Sequence, residues 1–97
     1  MSHYVLSELA QADLVELTEY IAADDVEAAF RVGQDIKAAM ERLSEMPNLG
    51  HLRTDLADGH FRIWPVHSYL IIYRSTTTPI EIARILSGFR DIPGLLS

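Results

Sequence analysis

Histidine is the first residue type in this sequence that could do chemistry, because its ordinary pKa lies near neutrality and it can act as a general acid or base. The 97-residue chain has no cysteine, and no two of its four histidines stand four residues apart, which is the helical spacing of a metal site. His60 and His67 flank a predicted strand, where they either converge with Arg62 or Arg84 or are ordinary turn residues. The sequence therefore predicts neither a metal nor another cofactor. The four histidines are His3, His51, His60 and His67.

Arginine supplies all of the formal positive charge in the second half of the chain. Residues 47–97 contain five arginines and no lysine. Arginine suits bidentate and stacked contacts at interfaces better than lysine does. On one sheet these arginines could form a cationic face towards an acidic partner segment; alternatively, each pairs with a carboxylate of a neighbouring helix or strand. The candidates for partner binding are Arg62, Arg74, Arg84 and Arg90.

The charge of the chain is distributed unevenly. The net charge is −6, and residues 8–46 carry ten acids and three bases, whereas residues 47–97 carry four acids and five bases. A domain that grips a phosphate backbone is usually basic, so the balance argues against direct nucleic-acid binding. Most of the acids are expected on a solvated helix face.

The chain is expected to be cytoplasmic. Its N-terminus has no basic start followed by an apolar run, so no signal peptide is predicted. The longest apolar run, Tyr69 to Tyr73, is far too short to span a membrane. The lack of cysteine fits a reducing compartment.

Two helices must position the first half of the chain, after a short strand that begins at Tyr4. Ser7 is predicted as the N-cap of the first helix, and Asp24 as the cap of the second, with Glu27 three residues later. Gly33 costs helix stability relative to alanine, which indicates a close approach to the first helix. The apolar stripes are Ala10, Leu14, Leu17 and Ile21, then Ala29, Gly33, Ile36, Met40 and Leu43.

After Gly50 the apolar period changes to that of strands, predicted over His60 to Val66, Ser68 to Ser75 and Ile80 to Leu86. Tyr69, Ile71 and Tyr73 alternate and are expected on one face. Trp64 is expected in the core beneath the helices. The order βααβββ, with a short apolar tail, predicts one α+β domain over residues 1–97, with a helix hairpin on one face of a mostly antiparallel sheet.

This order and these residues resemble the RelE/ParE toxin superfamily along nearly the whole chain. The resemblance begins with Tyr4-x-Leu6-Ser7-x-x-Ala10-x-x-Asp13-Leu14 and continues through Tyr20-Ile21 and Pro47-x-x-Gly50-x-x-Arg53. It is strongest at Tyr69-Leu-Ile-Ile-Tyr73-Arg74 and at Ile80-Glu-Ile82-x-Arg84-Ile85-Leu86-x-Gly88-x-Arg90-Asp91-Ile92. RelE-type members cut messenger RNA on the ribosome, whereas ParE-type members act on DNA gyrase and lack a catalytic centre.

The residues favour the ParE type over the RelE type. RNA cleavage by 2′-hydroxyl attack needs a base, an acid and cations for the developing phosphate charge. The one lysine, Lys37, falls on a predicted helix, and Ser87 stands where the superfamily often carries histidine. A serine hydroxyl is not a general acid or base near neutral pH.

The resemblance therefore implies a toxin that binds DNA gyrase without catalysis and forms a hetero-oligomer with a neutralising ParD-like antitoxin. It also implies a role in toxicity for the C-terminal segment from Arg90 through Leu96, in which Leu95 and Leu96 either dock on the sheet edge or meet a partner. Two alternatives stay open. One is a ribosome-dependent mRNA endonuclease that uses His60 or His67 with Arg62 and Arg84. The other is an inactive module that only binds its antitoxin.

Overall fold

The computed structural model describes residues 3–88, which form two helices and five strands. The strand order in the sheet is β1-β5-β4-β3-β2, with β1 parallel to β5 and the other pairs antiparallel. The predicted α+β fold, a helix hairpin on a mostly antiparallel sheet, is confirmed. The elements are β1 (Tyr4–Leu6), α1 (Glu8–Ala22), α2 (Val26–Glu45), β2 (His51–Arg53), β3 (Phe61–Val66), β4 (Tyr69–Arg74) and β5 (Ile80–Ser87).

The helices begin at side-chain caps. The Ser7 hydroxyl accepts a hydrogen bond from the Ala10 amide at 3.0 Å and donates to the Ala83 carbonyl at 2.7 Å, which ties α1 to β5. The second cap is Asp25 and not Asp24 as predicted, because Asp25 has the extended backbone that lets its Oδ1 accept from the Ala28 amide. Adjacent aspartates are equivalent in the sequence pattern, and only the backbone path distinguishes them.

The sheet contains one strand that the sequence pattern does not predict. β2 has only three residues, too few for an alternation to be recognised, and it pairs with β3 along one edge. The other three strands of the second half agree with the prediction to within one residue at each end. Ser87, one residue beyond the predicted end of the strand, is the last residue of β5.

The main core lies between the sheet and the helix hairpin. Ile71 and Tyr73 of β4 are fully buried there and Tyr69 packs against them, so the expectation that these residues share one face is confirmed. Trp64 is half-buried against the same core, with the Arg42 guanidinium 5.9 Å from its ring centroid. A smaller cluster lies on the opposite face of the sheet and consists of Leu56, Phe61, Ile72 and Leu86.

A β-bulge in β5 changes which residues face α1. Tyr73 pairs with Ile82 but Ile72 pairs with Arg84, so Ala83 is an extra residue in the ladder. After this extra residue, Arg84 reaches α1 while the adjacent Ile85 also enters the main core. Strict alternation would have placed these two neighbours on opposite faces of the sheet.

Gly33 of α2 faces Thr18 of α1, but the contact is an ordinary one. A Cβ built on Gly33 would lie 3.8 Å from Thr18 Cγ2, a normal van der Waals separation. The prediction that the glycine marks an unusually close approach of the two helices is therefore wrong, since alanine would fit between them.

Candidate functional site

Arg84, one of the predicted partner-binding residues, is held by a carboxylate of α1. Its Nε donates to Asp13 Oδ2 at 2.8 Å and its Nη2 donates to Asp13 Oδ1 at 2.9 Å. The Ile85 amide also donates to Asp13 Oδ2, at 3.0 Å. The side chains of Arg84 and Asp13 are only 14% and 10% exposed, and this hydrogen bonding raises the pKa of Arg84. Arg84 thus joins β5 to α1 and presents little charge to a partner.

Asp13 is the participant that the sequence analysis did not select. It was grouped with the acids of the solvated helix face, yet it lies three residues after Ala10 and four before Leu17, the two buried residues of α1. Residues at these spacings share one face of a helix. The spacing of Asp13 therefore indicated that it lies on the buried face of α1, but its charge led to the expectation of a solvated position.

Arg62 and Tyr73 together hold the loop that connects α2 to β2. Arg62 Nη1 donates to the carbonyl oxygens of Gly50 at 2.8 Å and Asn48 at 3.4 Å, and its Nε donates to the Ser75 hydroxyl at 3.1 Å. The Tyr73 hydroxyl accepts from the Gly50 amide and donates to the Pro47 carbonyl, both at 2.8 Å. Burial raises the pKa of Tyr73, so the phenol stays neutral in this role. We call this arrangement the loop clasp.

Arg74 lies on the other face of the sheet from Arg62. Its Nη1 donates to Asp58 Oδ2 at 2.6 Å, and its guanidinium stands 4.3 Å from the ring centroid of Phe61 in the smaller cluster. The hydrogen bond from Arg74 holds the pKa of the Asp58 carboxyl below its ordinary value. Arg62 is directly opposite Tyr73 and so shares the helix side. The described arginines therefore do not form one cationic face.

The hydrogen bonds of His60 and His67 are made to aspartates and not to groups that Arg62 or Arg84 contacts. His67 Nε2 lies 2.7 Å from Asp35 Oδ2 on α2, and the His60 amide donates to Asp58 Oδ1 at the other end of β3. Both histidines are exposed. Residues 3–88 also contain no group of three histidine, aspartate or glutamate side chains that could hold a metal ion. The arrangement of an acid–base pair beside Arg62 and Arg84, considered from the sequence, is not formed.

Ser87 lines a groove between α1 and the end of β5. The groove has a volume of about 310 Å³, and Asp13, Glu16, Tyr20 and Tyr69 also line it. The described chain ends at Gly88, beside this groove. Arg90, Leu95 and Leu96, the remaining predicted partner-binding residues, lie outside the described residues.

A second groove runs along the outer side of the helix hairpin, and we call it the outer groove. It has a volume of about 420 Å³, and its described lining belongs to α1 and α2. Val26 and Phe30 of this lining are 72% and 68% exposed. The sequence analysis did not select them, because apolar residues of a helix are first expected in its buried stripe. Within residues 3–88, neither helix is long and apolar enough to cross a membrane.

Comparison with known proteins decides the family. Residues 4–92 match the model of the ParE toxin of type II toxin–antitoxin systems, parDE. The chain belongs to the ParE toxin family. The resemblance inferred from the sequence is thereby confirmed, and this ParE-family chain is the toxin component of a type II toxin–antitoxin system.

A solved structure supports the fold of this toxin. The chain is similar to a chain of the chromosomal ParDE toxin–antitoxin system from P. aeruginosa, with 23% sequence identity and a TM-score of 0.73. The match covers 90% of this chain and 96% of that chain. No curated protein has significant similarity to this toxin.

Proposed function

We propose that this ParE-family toxin binds and inhibits DNA gyrase, without catalysis or a cofactor, and that a ParD-like antitoxin neutralises it in a hetero-oligomer. The observation that carries the proposal is the family match over residues 4–92. It spans every helix and strand that residues 3–88 form. The similarity to a chain of the ParDE system from P. aeruginosa supports the ParD-like partner.

The contacts of the sheet arginines support binding over catalysis. Cleavage of a phosphodiester needs cations that can reach the developing charge. Arg84 and Arg74 are ion-paired within the chain, and Arg62 is held by a hydroxyl and two carbonyl oxygens. Ser87 supplies no acid–base group at the end of β5. The described sheet arginines that would serve a ribonuclease are therefore already engaged in contacts within the chain.

These contacts also divide the predicted partner-binding residues into two groups. We assign Arg62 and Arg84 to positioning, because their hydrogen-bonding groups are used within the chain. Arg74, whose side chain is 28% exposed, stays a candidate for partner contact. Arg90, Leu95 and Leu96 stay candidates by the resemblance to ParE toxins, in which the C-terminal segment is implicated in toxicity.

The test is supercoiling by purified gyrase with increasing amounts of the full-length toxin. We expect inhibition that saturates with the toxin and is reversed when a ParD-like antitoxin is added. Unchanged supercoiling at saturating toxin would overturn the proposed target. Cleavage of messenger RNA on translating ribosomes, measured in parallel, would overturn the non-catalytic assignment. Absence of growth arrest when the toxin is expressed alone would favour an inactive antitoxin-binding module.

A further inference from the structure

The outer groove is an apolar surface that the described chain leaves open. Its lining includes three small residues, Ala22, Ala29 and Gly33, together with the exposed Val26 and Phe30. Val15, which is 56% exposed, stands three residues before Thr18 of the lining and extends the same stripe along α1. Contiguous exposed apolar side chains with a polar rim are typical of interaction surfaces.

Gly33 gives a separate indication that something from outside the chain approaches this surface. A glycine within a helix costs about 1 kcal/mol relative to alanine. The internal packing does not require it, since a Cβ at this position would only meet Thr18 Cγ2 at 3.8 Å. A glycine in the lining of an open groove leaves room for a side chain that enters from a partner.

The charge around the outer groove specifies the kind of partner. Residues 8–27 contain seven acids and no lysine or arginine, and Glu19 is part of the lining. Asp24, Asp25 and Glu27 surround the tip of the hairpin next to Val26. Of the bases of α2, Arg31 directly follows Phe30 but is not part of the groove lining, and Lys37 comes after the last lining residue, Gln34. An acidic rim around apolar anchors fits a basic surface with an apolar cleft, and two such rims would repel each other in a self-dimer.

We propose that the outer groove is the surface with which this toxin docks on its target, at a basic site that the target otherwise uses to contact DNA. The inference rests on the proposed function, in which the target acts on DNA. A protein that holds DNA must present lysine and arginine to the phosphates. Phe30 and Val26 supply the apolar anchors, while the acids of α1 and the hairpin tip supply the complementary charge.

The first experiment compares two exposed apolar residues in the full-length toxin. Phe30→Ser removes the anchor of the outer groove, and Leu9→Ser is the matched control, since Leu9 is 60% exposed but is not part of the groove lining. Loss of a central aromatic anchor at an interface weakens binding by about tenfold or more. We therefore expect Phe30→Ser to raise the toxin concentration for half-inhibition of gyrase by that factor. Leu9→Ser should half-inhibit gyrase at the wild-type toxin concentration. Both variants should bind the antitoxin with the wild-type affinity.

The second experiment tests the charge complementarity. Glu19→Gln combined with Glu27→Gln neutralises two acids near the groove, and Glu45→Gln is the control at the far end of α2. Binding of the wild-type toxin to the target should weaken as the salt concentration is raised. The affinity of the double variant should depend less on salt than the affinity of the control variant does. Added DNA should compete with the toxin for the target.

Three results would overturn the inference while the proposed function stands. The wild-type and Phe30→Ser toxins could inhibit gyrase equally. Phe30→Ser could lose affinity for the antitoxin and not for gyrase, which would make the antitoxin the occupant. The toxin could dimerise through Phe30, as shown by a concentration-dependent mass that the variant abolishes. If the wild-type toxin does not inhibit gyrase at all, the proposed target itself fails.

Discussion

The two faces of the helix hairpin use their side chains in opposite ways. On the face towards the sheet, the polar groups are satisfied within the chain: Asp13 accepts three hydrogen bonds and holds Arg84, which brings α1 onto β5. On the outer face, Phe30 and Val26 remain exposed beside the small residues that line the outer groove. A partly buried ion pair on the inner face and exposed apolar side chains on the outer face both depart from the simple rule of apolar inside and polar outside, so neither property by itself identifies a binding surface.

The largest effect is expected from breaking the partly buried ion pair. Asp13→Ala would leave the Arg84 guanidinium without its carboxylate and would also remove the acceptor of the Ile85 amide. Because the pair is partly and not fully buried, we expect a loss of about 3 kcal/mol, the low end of the range for buried pairs and still a large share of the stability of a small domain. Urea denaturation of the two proteins measures the loss.

The control for Asp13→Ala is Asp55→Ala. Asp55 pairs with Arg53 at a side-chain exposure of 58%, and this hydrogen bond lowers the pKa of Asp55 to about 2. Because the pair is solvated, its loss should leave the urea midpoint unchanged. Equal effects of the two substitutions would show that the burial of the Asp13–Arg84 pair carries no energetic weight.

An intermediate effect is expected at the loop clasp. A Cβ on Gly50 would lie 2.5 Å from the Tyr73 hydroxyl oxygen, and Tyr73 is fully buried and cannot move away. Gly50→Ala should therefore destabilise the fold by about 1–3 kcal/mol, the usual cost of overpacking. Tyr73→Phe should cost about 1–3 kcal/mol, because the Gly50 amide loses its acceptor.

The two substitutions at the clasp should not be additive. Tyr73→Phe removes the oxygen at 2.5 Å but leaves the ring carbons Cε1 and Cζ at 2.7 and 2.9 Å, so the overlap is partly relieved and the double variant should lose less stability than the sum of the single variants. Urea denaturation of the four proteins gives the coupling free energy. A coupling of zero would show that the hydroxyl oxygen contributes nothing to the overlap.

The smallest effect, and one of opposite sign, is expected at Gly33. Alanine fits at 3.8 Å from Thr18 Cγ2, so Gly33→Ala should stabilise the toxin by about 0.5–1 kcal/mol through its better helix propensity. The same methyl group also fills part of the outer groove. Inhibition of the target should therefore weaken, while the urea midpoint rises. A lower urea midpoint would mean that the two helices do require the glycine.

Much of the fold was accessible from the sequence because it depends on local periodicity. The apolar stripes of α1 and α2 and the alternation of Tyr69, Ile71 and Tyr73 each reflect a repeat that a few neighbouring residues specify. Ser7 as a cap and the strands after Gly50 follow from the same local rules. The three-residue β2 was missed because it is too short to show any repeat.

The candidate site was less accessible, because it depends on pairs of residues far apart in the chain. Asp13 and Arg84 are separated by 71 positions, and no local pattern indicates either the bulge at Ala83 or the contact of Arg84 with α1. Residue type alone therefore marks the arginines in the sequence, whereas the structure shows that Arg62 and Arg84 have internal partners. Phe30 was passed over for the converse reason, since only the packed fold shows that it stays exposed.

The sequence by itself determined the α+β order, the helix hairpin and the membership of the ParE toxin family, because these depend on local repeats and on motifs that follow one another along the chain. The tertiary structure alone decided which charged side chains pair with each other within the chain and which apolar side chains face solvent. Burial and pairing are properties of distant residues brought together. For this reason Asp13 became part of the interior while Phe30 stayed on the surface.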